Sequence, residues 1–396
     1  MKKLLLATSA CALLAGAAHA EDVKLGILIG FTGPIESLTP NMAAAAELAM
    51  TEANASGAVA NGWNFVPVRA DSTCGDAAAA TAAAERLITS DAVHGIIGAD
   101  CSGVTRAVLT NVAMPNGMVM ISPSATSPAL TQDEDNGLFF RTAPSDAREG
   151  EVAADILVEK GVKSVAITYT NNDFGKGESE FIEKFFKEKG GNVTINVSHE
   201  DGKADYSAEV AALASAGGDV LVVAGYLDQG GKGIIQAALD TGAFSTFYLP
   251  GGMIGDSLPQ AIGPALDGSY GDIAASDAEG NVILKDIAAA LPTPFDSTSA
   301  YASESYDAAA LFILAMQAAG STDPKVYKDK VMEVANAPGE KINPGELGKA
   351  LQLIAEGKDI DYQGATGVEM VDPGEAAGRY REIVIKDGKV ETVKYH

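Results

Sequence analysis

Two hydrophobic rhythms alternate along the chain. Short apolar runs at residues 23–30, 63–70, 94–98 and 119–121 read as buried strands, and the stretches 41–56, 77–89 and 105–113 between them read as helices. Pro67 lies inside the second run and assigns that strand to a sheet edge, because proline cannot donate to a ladder. The rhythm restarts after Arg141-Thr142-Ala143-Pro144-Ser145. Helices are expected at 150–160, 177–189, 206–216 and 233–241, and strands at 164–169, 193–197, 219–224 and 247–249. A strand at 270–274 precedes a long helix at 303–319 and helices at 325–336 and 346–356. Short strands follow at 367–371, 379–386 and 390–394, with Asp387-Gly388 as a hairpin turn. Such alternation packs helices on both faces of a parallel sheet. The expected fold is α/β, with two doubly wound parallel-sheet lobes joined by several crossovers and a ligand cleft between them. Residues 21–142 and 272–350 are assigned to lobe 1, and 143–271 and 351–396 to lobe 2.

Residues 1–20 change the picture of where this protein works. Lys2 and Lys3, an apolar run from residue 4 to 18, and Ala18-His19-Ala20 before Glu21 form a secretory signal peptide, so a cleaved, periplasmic protein is expected. Cys11 lies in the apolar run without a leucine three residues before it, which argues against a lipid anchor. No later stretch reaches the roughly 18 apolar residues of a spanning helix, and membrane insertion is not expected. The formal charge is −25, and loss of Lys2 and Lys3 with the leader takes it to −27. With no block of Lys and Arg, nucleic acid is excluded as a partner. Beyond the leader only Cys74 and Cys101 remain, and in an oxidising compartment they are expected to form a disulfide; two free buried thiols are the alternative.

The strongest chemical signal is a pair of turns. Gly98-Ala99-Asp100-Cys101-Ser102 and Ile121-Ser122-Pro123-Ser124-Ala125-Thr126 each run from a strand into small hydroxyl residues before a helix. There, backbone N–H groups and hydroxyls converge on an anion, and two such turns side by side form a carboxylate cradle. The same hydroxyls also fit a role as helix or turn caps. Catalysis has little support. His94, His199 and His396 show no metal-ligand spacing, Ser102 is not in a Gly-x-Ser-x-Gly elbow, and there is no Walker loop. The acidic residues 132–136 lack the glycine and closing glutamate of a calcium loop. No enzyme activity, metal or cofactor is expected.

Taken together, these motifs resemble the branched-chain amino-acid binding proteins of ABC importers, the type I periplasmic binding fold. The resemblance rests on residues 26–34, the Cys74/Cys101 pair, both cradle turns, Asn172-Asp173-Phe174-Gly175-Lys176-Gly177 and Tyr362-Gln363-Gly364-Ala365-Thr366-Gly367. It implies that Ser102 and Thr126 bind a ligand carboxylate, with Ser124 and Ala125 in the intervening turn. It further implies that Phe174, Tyr226 and Tyr301 are wall aromatics, although Phe174 and Tyr301 read from the residues alone as core. Leu38 falls where relatives often carry an aromatic. Where relatives place an acid for the ligand's ammonium, this chain has Gly251. Asp228 and Asp256 are the nearby acids that offer a replacement, as does cation–π contact with the aromatics; otherwise the ligand is a carboxylate without an amine. The implied partners are a small-molecule ligand and an inner-membrane ABC permease, with the protein acting as a monomer. A ligand sensor reporting to a signalling partner is the alternative from another class.

Overall fold

The computed structural model describes residues 21–396, so the expected signal peptide and Cys11 lie outside the described residues. Two seven-stranded sheets organise the chain. In the first, Trp63–Asp71 forms one edge, followed by Glu21–Ile29, Gly95–Gly98, Met120–Ser122 and Phe139–Arg141, all parallel, and then by the small hairpin Glu375–Ala376 and Met370–Val371. In the second, Asn192–His199 forms the edge, followed by Ser164–Thr170, Val220–Ala224, Phe247–Leu249 and Tyr270–Ala274, all parallel. Tyr380–Lys386 then pairs antiparallel, and Lys389–Tyr395 closes the hairpin. Each lobe is thus a doubly wound sheet with the same strand order, and Pro67 sits on an edge strand.

Local signals explain the helices. Asp76 accepts the N–H groups of Ala78 and Ala79 and starts Ala77–Thr89, and Ser145 caps Asp146–Glu159 through the N–H of Ala147. Asn172 accepts the N–H of Gly175 and starts Asp173–Glu188 four residues before the expected helix, because the cap side chain replaces the missing periodicity. Ala302–Ala319 is buried on every side through Gln317 and packs on Thr39–Ser56, forming the core of lobe 1 with Leu25, Ile27 and Phe312. Several elements were not expected, among them the strand Phe139–Arg141, the amphipathic helix Glu279–Ala290, the short helix Ser257–Ile262 and the paired strands Glu340–Ile342 and Ile360–Tyr362. The expected helix at 325–336 is broken into Pro324–Tyr327, a tight turn and Val331–Ala335. Among the described residues, no helix is long and apolar enough to cross a membrane.

Sheet membership moves both later boundaries from the expected division. Tyr270–Ala274 runs entirely in the second sheet, so the chain returns to lobe 1 after Ala274 rather than at 272. Residues 351–376 stay with lobe 1, because Ile360–Tyr362 pairs with Glu340–Ile342 and Glu375–Ala376 pairs with Phe139–Arg141. Only the final hairpin from Tyr380 belongs to lobe 2.

Cys74 and Cys101 form the disulfide, with Cα atoms 5.1 Å apart and both side chains buried. Closing a loop across a separation of 27 residues removes denatured-chain entropy equivalent to about 3.5 kcal/mol. The double variant Cys74→Ala/Cys101→Ala is expected to lose about that much in guanidinium unfolding. An unchanged midpoint would show that the cross-link contributes nothing.

Candidate functional site

In doubly wound sheets, ligands bind outside the carboxyl ends of the strands, where the strand order reverses. Lobe 1 has that point between Glu21–Ile29 and Gly95–Gly98, and lobe 2 between Ser164–Thr170 and Val220–Ala224. After the first of these strands come Ile35 and Leu38; after the second, Asp100, Cys101 and Ser102; after Met120–Ser122 comes Ser124. From lobe 2, Phe174, Tyr226 and Gly252 follow the strands Ser164–Thr170, Val220–Ala224 and Phe247–Leu249. With Tyr301, these residues line one small cavity between the lobes. Larger pockets lie elsewhere: one along Met332, Ile354 and Ile360 of lobe 1, and one where residues 297–304 meet Arg381, Thr392 and Tyr395 of the final hairpin.

The lobes are in contact around this cavity. Ser37 N–H donates to Asp228 Oδ2 (3.0 Å), Asp228 N–H to the Pro34 carbonyl (3.1 Å), and Ser127 Oγ to the Asp173 carbonyl (3.0 Å). The hydroxyl turns are held by their own bonds. Ser102 Oγ accepts the Ser127 N–H (3.1 Å), and Ser124 Oγ donates to the Asp100 carbonyl (3.0 Å). Asp100 is buried, accepting Gly30 N–H (2.6 Å) and Ser72 Oγ (2.6 Å); burial raises its carboxyl and these bonds oppose the shift. Phe174 and Tyr226 stack with ring centroids 5.1 Å apart and 20° between planes, a flat apolar wall. A Cβ on Gly252 would stand 2.5 Å from the Gly225 carbonyl and 3.1 Å from the Phe174 ring, so only glycine fits behind that wall. Tyr301 has φ 60°, an uncommon left-handed conformation for a side-chain-bearing residue at a helix start, and burial pushes its phenol well above its usual range.

Of the residues singled out from sequence, Leu38, Ser102, Ser124, Phe174, Tyr226 and Tyr301 line the cavity. Ala125 and Thr126 are buried in the turn behind Ser124, and the Thr126 carbonyl accepts the Asp146 N–H (2.9 Å). Asp228 does not line the cavity. Its carboxylate sits at the rim, taken up by Ser37 N–H and by the Ser257 hydroxyl (2.7 Å), because the tight turn after Tyr226 points it across to lobe 1. Asp256 is exposed. Gly251 is buried behind the cavity, and its N–H donates to Glu149 Oε1 (2.8 Å).

Glu149 belongs to a cluster that the sequence reading missed. Asp146, Glu149 and Glu178 are buried carboxylates with one oxygen of each within 4.8 Å of the others. Burial raises Asp146 to about 6 and pushes Glu149 and Glu178 well above the usual carboxylate range, with repulsion from Asp272 and Asp146 adding at Glu149 and from Glu149 and Asp146 at Glu178. The signal was in the periodicity. Glu149, Ala153 and Ile156 share one helical face, as do Phe174, Glu178 and Ile182 on the helix packed against it, so both glutamates interrupt apolar stripes.

Residues 22–337 match the family described as periplasmic binding protein. The chain belongs to that family. Its match is of the branched-chain amino-acid type. It is 30% identical over 322 residues to Leu/Ile/Val-binding protein homolog 3 of Brucella melitensis, covering 80% of this chain and 84% of the relative. The fold is that of the leucine-binding protein LivK of Thermotoga maritima, with a TM-score of 0.78 at 21% identity over 94% of this chain and 98% of that one. A solute-binding protein of an ABC transporter from R. palustris, solved with benzoate, superposes with a TM-score of 0.75 at 20% identity, covering 95% and 96%.

Proposed function

We propose that this binding protein is the periplasmic solute receptor of an ABC importer, a monomer without catalytic activity or cofactor. In this reading it captures an amino acid or related small carboxylate between its lobes and presents the closed form to an inner-membrane permease. One observation carries the reading: the cavity at the carboxyl ends of the strands takes its walls from the turns of both lobes. A ligand there gains contacts to both lobes only when they close, and that difference in contact drives closure. Ser102 and Ser124, with the turn through Ala125 and Thr126, receive the carboxylate, and Phe174, Tyr226, Tyr301 and Leu38 surround the rest of the ligand. A second reading, an amino-free aromatic acid, is favoured by the flat Phe174/Tyr226 wall and by the absence of an acid at Gly251-Gly252.

The test is a thermal-shift and calorimetric screen of the purified protein against small carboxylates. A ligand at a hundred times its Kd adds about 2.7 kcal/mol and raises Tm visibly. Ser102→Ala is expected to weaken binding about tenfold, through loss of one charge-assisted hydrogen bond. A protein stabilised by no carboxylate would not be such a receptor.

A further inference from the structure

We propose that the pocket beside the lobe crossover, where residues 297–304 of lobe 1 meet the final hairpin of lobe 2, is a second ligand site, and that it takes a small organic carboxylate with an apolar body, held through Arg381 and Glu304. This site is separate from the cleft cavity and does not rest on the solute-receptor reading.

Geometry supplies the first argument. The pocket measures about 440 Å³, within the roughly 300–1,000 Å³ of small-molecule sites. Its walls come from the crossover at residues 274–278, the helix Glu279–Ala290, the segment leading into Ala302–Ala319, and the hairpin Tyr380–Lys386 and Lys389–Tyr395. Tyr301 is the one lining residue it shares with the cleft cavity. Val282, 61% exposed, lines it from lobe 1, and Tyr395, 42% exposed, from lobe 2. An apolar body held there shields both side chains from water.

Charge supplies the second argument. Arg69, Arg86, Arg106, Arg141, Arg148 and Arg379 each have a carboxylate within 4.0 Å. Among the described residues Arg381 has no such partner, although the chain carries 53 acidic residues against 28 basic ones. Its Nη2 donates across the lobes to the Thr298 carbonyl (3.2 Å), its Nη1 reaches Thr392 Oγ1 only at 3.5 Å, and its Nε has no acceptor. A guanidinium so placed is completed by an anion. Lys285, one helical turn from Val282, adds a second positive charge to the lining.

The third argument is a buried group that faces the same pocket. Glu304 is 4% exposed, and Thr142 Oγ1 donates to its carbonyl (2.8 Å), but among the described residues no other residue donates to its carboxyl. Burial raises that carboxyl to about 8, so at neutral pH it keeps its proton and offers an O–H donor without an acceptor. Ser297 Oγ, buried in the same wall, has no partner either. A ligand carboxylate accepts from Glu304 and Arg381 together, whereas an amine or a metal ion would meet the charges of Arg381 and Lys285.

The experiment is photolabelling of the purified protein with 4-azidobenzoate, competed by benzoate or by 2-phenylethylamine, with labelled peptides located by mass spectrometry. Label is expected within residues 276–285 and 392–395, suppressed by benzoate and not by the amine. Ser102→Ala, which alters only the cleft, is expected to keep that labelling within about twofold, and Arg381→Gln to lower it about tenfold or more. Val282→Glu, a change at an exposed position that adds a negative charge to the lining, is expected to lower it as well and supplies the test if Arg381→Gln does not fold. Label confined to cleft residues such as Phe174 and Tyr226 would overturn the second site and leave the receptor reading standing. Labelling unchanged in a folded Arg381→Gln, or suppressed by the amine rather than by benzoate, would overturn the assignment of a carboxylate to Arg381. Labelling of neither region would overturn the second site outright.

Discussion

Replacing Arg141 with methionine is expected to destabilise the protein by on the order of 4 kcal/mol and to abolish ligand binding. Arg141 is buried, yet its guanidinium meets five acceptor contacts: Glu375 Oε2 from two of its nitrogens, the Ala125 and Ser127 carbonyls at 3.1 and 3.0 Å, and the Thr131 hydroxyl at 2.7 Å. Two of these hold the turn that carries Ser124 and Thr126, and a third fixes the strand Glu375–Ala376 to the sheet edge. Methionine fills much of the volume but leaves the mostly buried Glu375 carboxylate without its cation, and breaking such a pair from one side costs about 3–5 kcal/mol. The double variant Arg141→Met/Glu375→Leu removes both charges and is expected to recover part of the stability without recovering binding, because the turn remains unclamped. Guanidinium unfolding and calorimetry check the two halves separately. A single variant within 1 kcal/mol of wild type would show that the guanidinium is not what holds the turn.

How much of this was legible beforehand depended on whether a residue's role is carried by its own neighbours in sequence. Apolar runs such as 164–169 and 247–249 announce strands, and Asp387-Gly388 with φ of 51° and 70° announces its hairpin. The hydroxyl turns after Gly95–Gly98 and Met120–Ser122 announce two turns that border the cavity through Ser102 and Ser124. Phe139–Arg141 was hidden because three residues carry no period, and it is a strand only because Met120–Ser122 lies beside it. Residues 351–376 were given to the wrong lobe because their pairing partners, Glu340–Ile342 and Phe139–Arg141, are set by tertiary contact. The acids divide the same way. Asp228 lies near the cleft in sequence, yet its carboxylate is spent on Ser37 and Ser257. Glu149 looked like an ordinary acid in a helix's first turns, where the dipole favours negative charge, and only the packing of Asp173–Glu188 against its helix buries it.

The buried acids also give stability an unusual dependence on pH. Burial is the largest cause in each case: Asp146 and Asp307 are raised to about 6, and Asp272 and Glu304 to about 8. The groups facing them modulate this: Tyr248, Glu382 and Asp146 around Asp272; Asp307 and Arg381 around Glu304; Thr126, Glu178 and Arg141 around Asp146. A carboxyl raised in the folded state holds its proton more tightly there than in the unfolded chain. Its contribution is therefore complete below about pH 4 and is lost as pH rises through the folded value. His199 runs the other way. Buried against the Thr168 hydroxyl and lowered to about 4, it contributes fully above about pH 6.5 and loses that contribution as pH falls toward 4. The two trends offset each other in part between pH 5 and 6.5, and above 6.5 the acids act alone. At about 1.4 kcal/mol per proton per pH unit, Asp272 and Glu304 together account for a loss of roughly 4 kcal/mol between pH 6.5 and 8.5. Melting of the ligand-free protein at constant ionic strength is expected to show Tm falling by roughly 5 °C or more across that window. Asp272→Asn, which keeps an acceptor for the Tyr248 hydroxyl but no titrating proton, is expected to remove the share of the fall that Asp272 carries, about 2 kcal/mol. A Tm that is level or rising from pH 6.5 to 8.5 would mean that these carboxylates are already ionised in the folded protein, each with a counter-charge beside it.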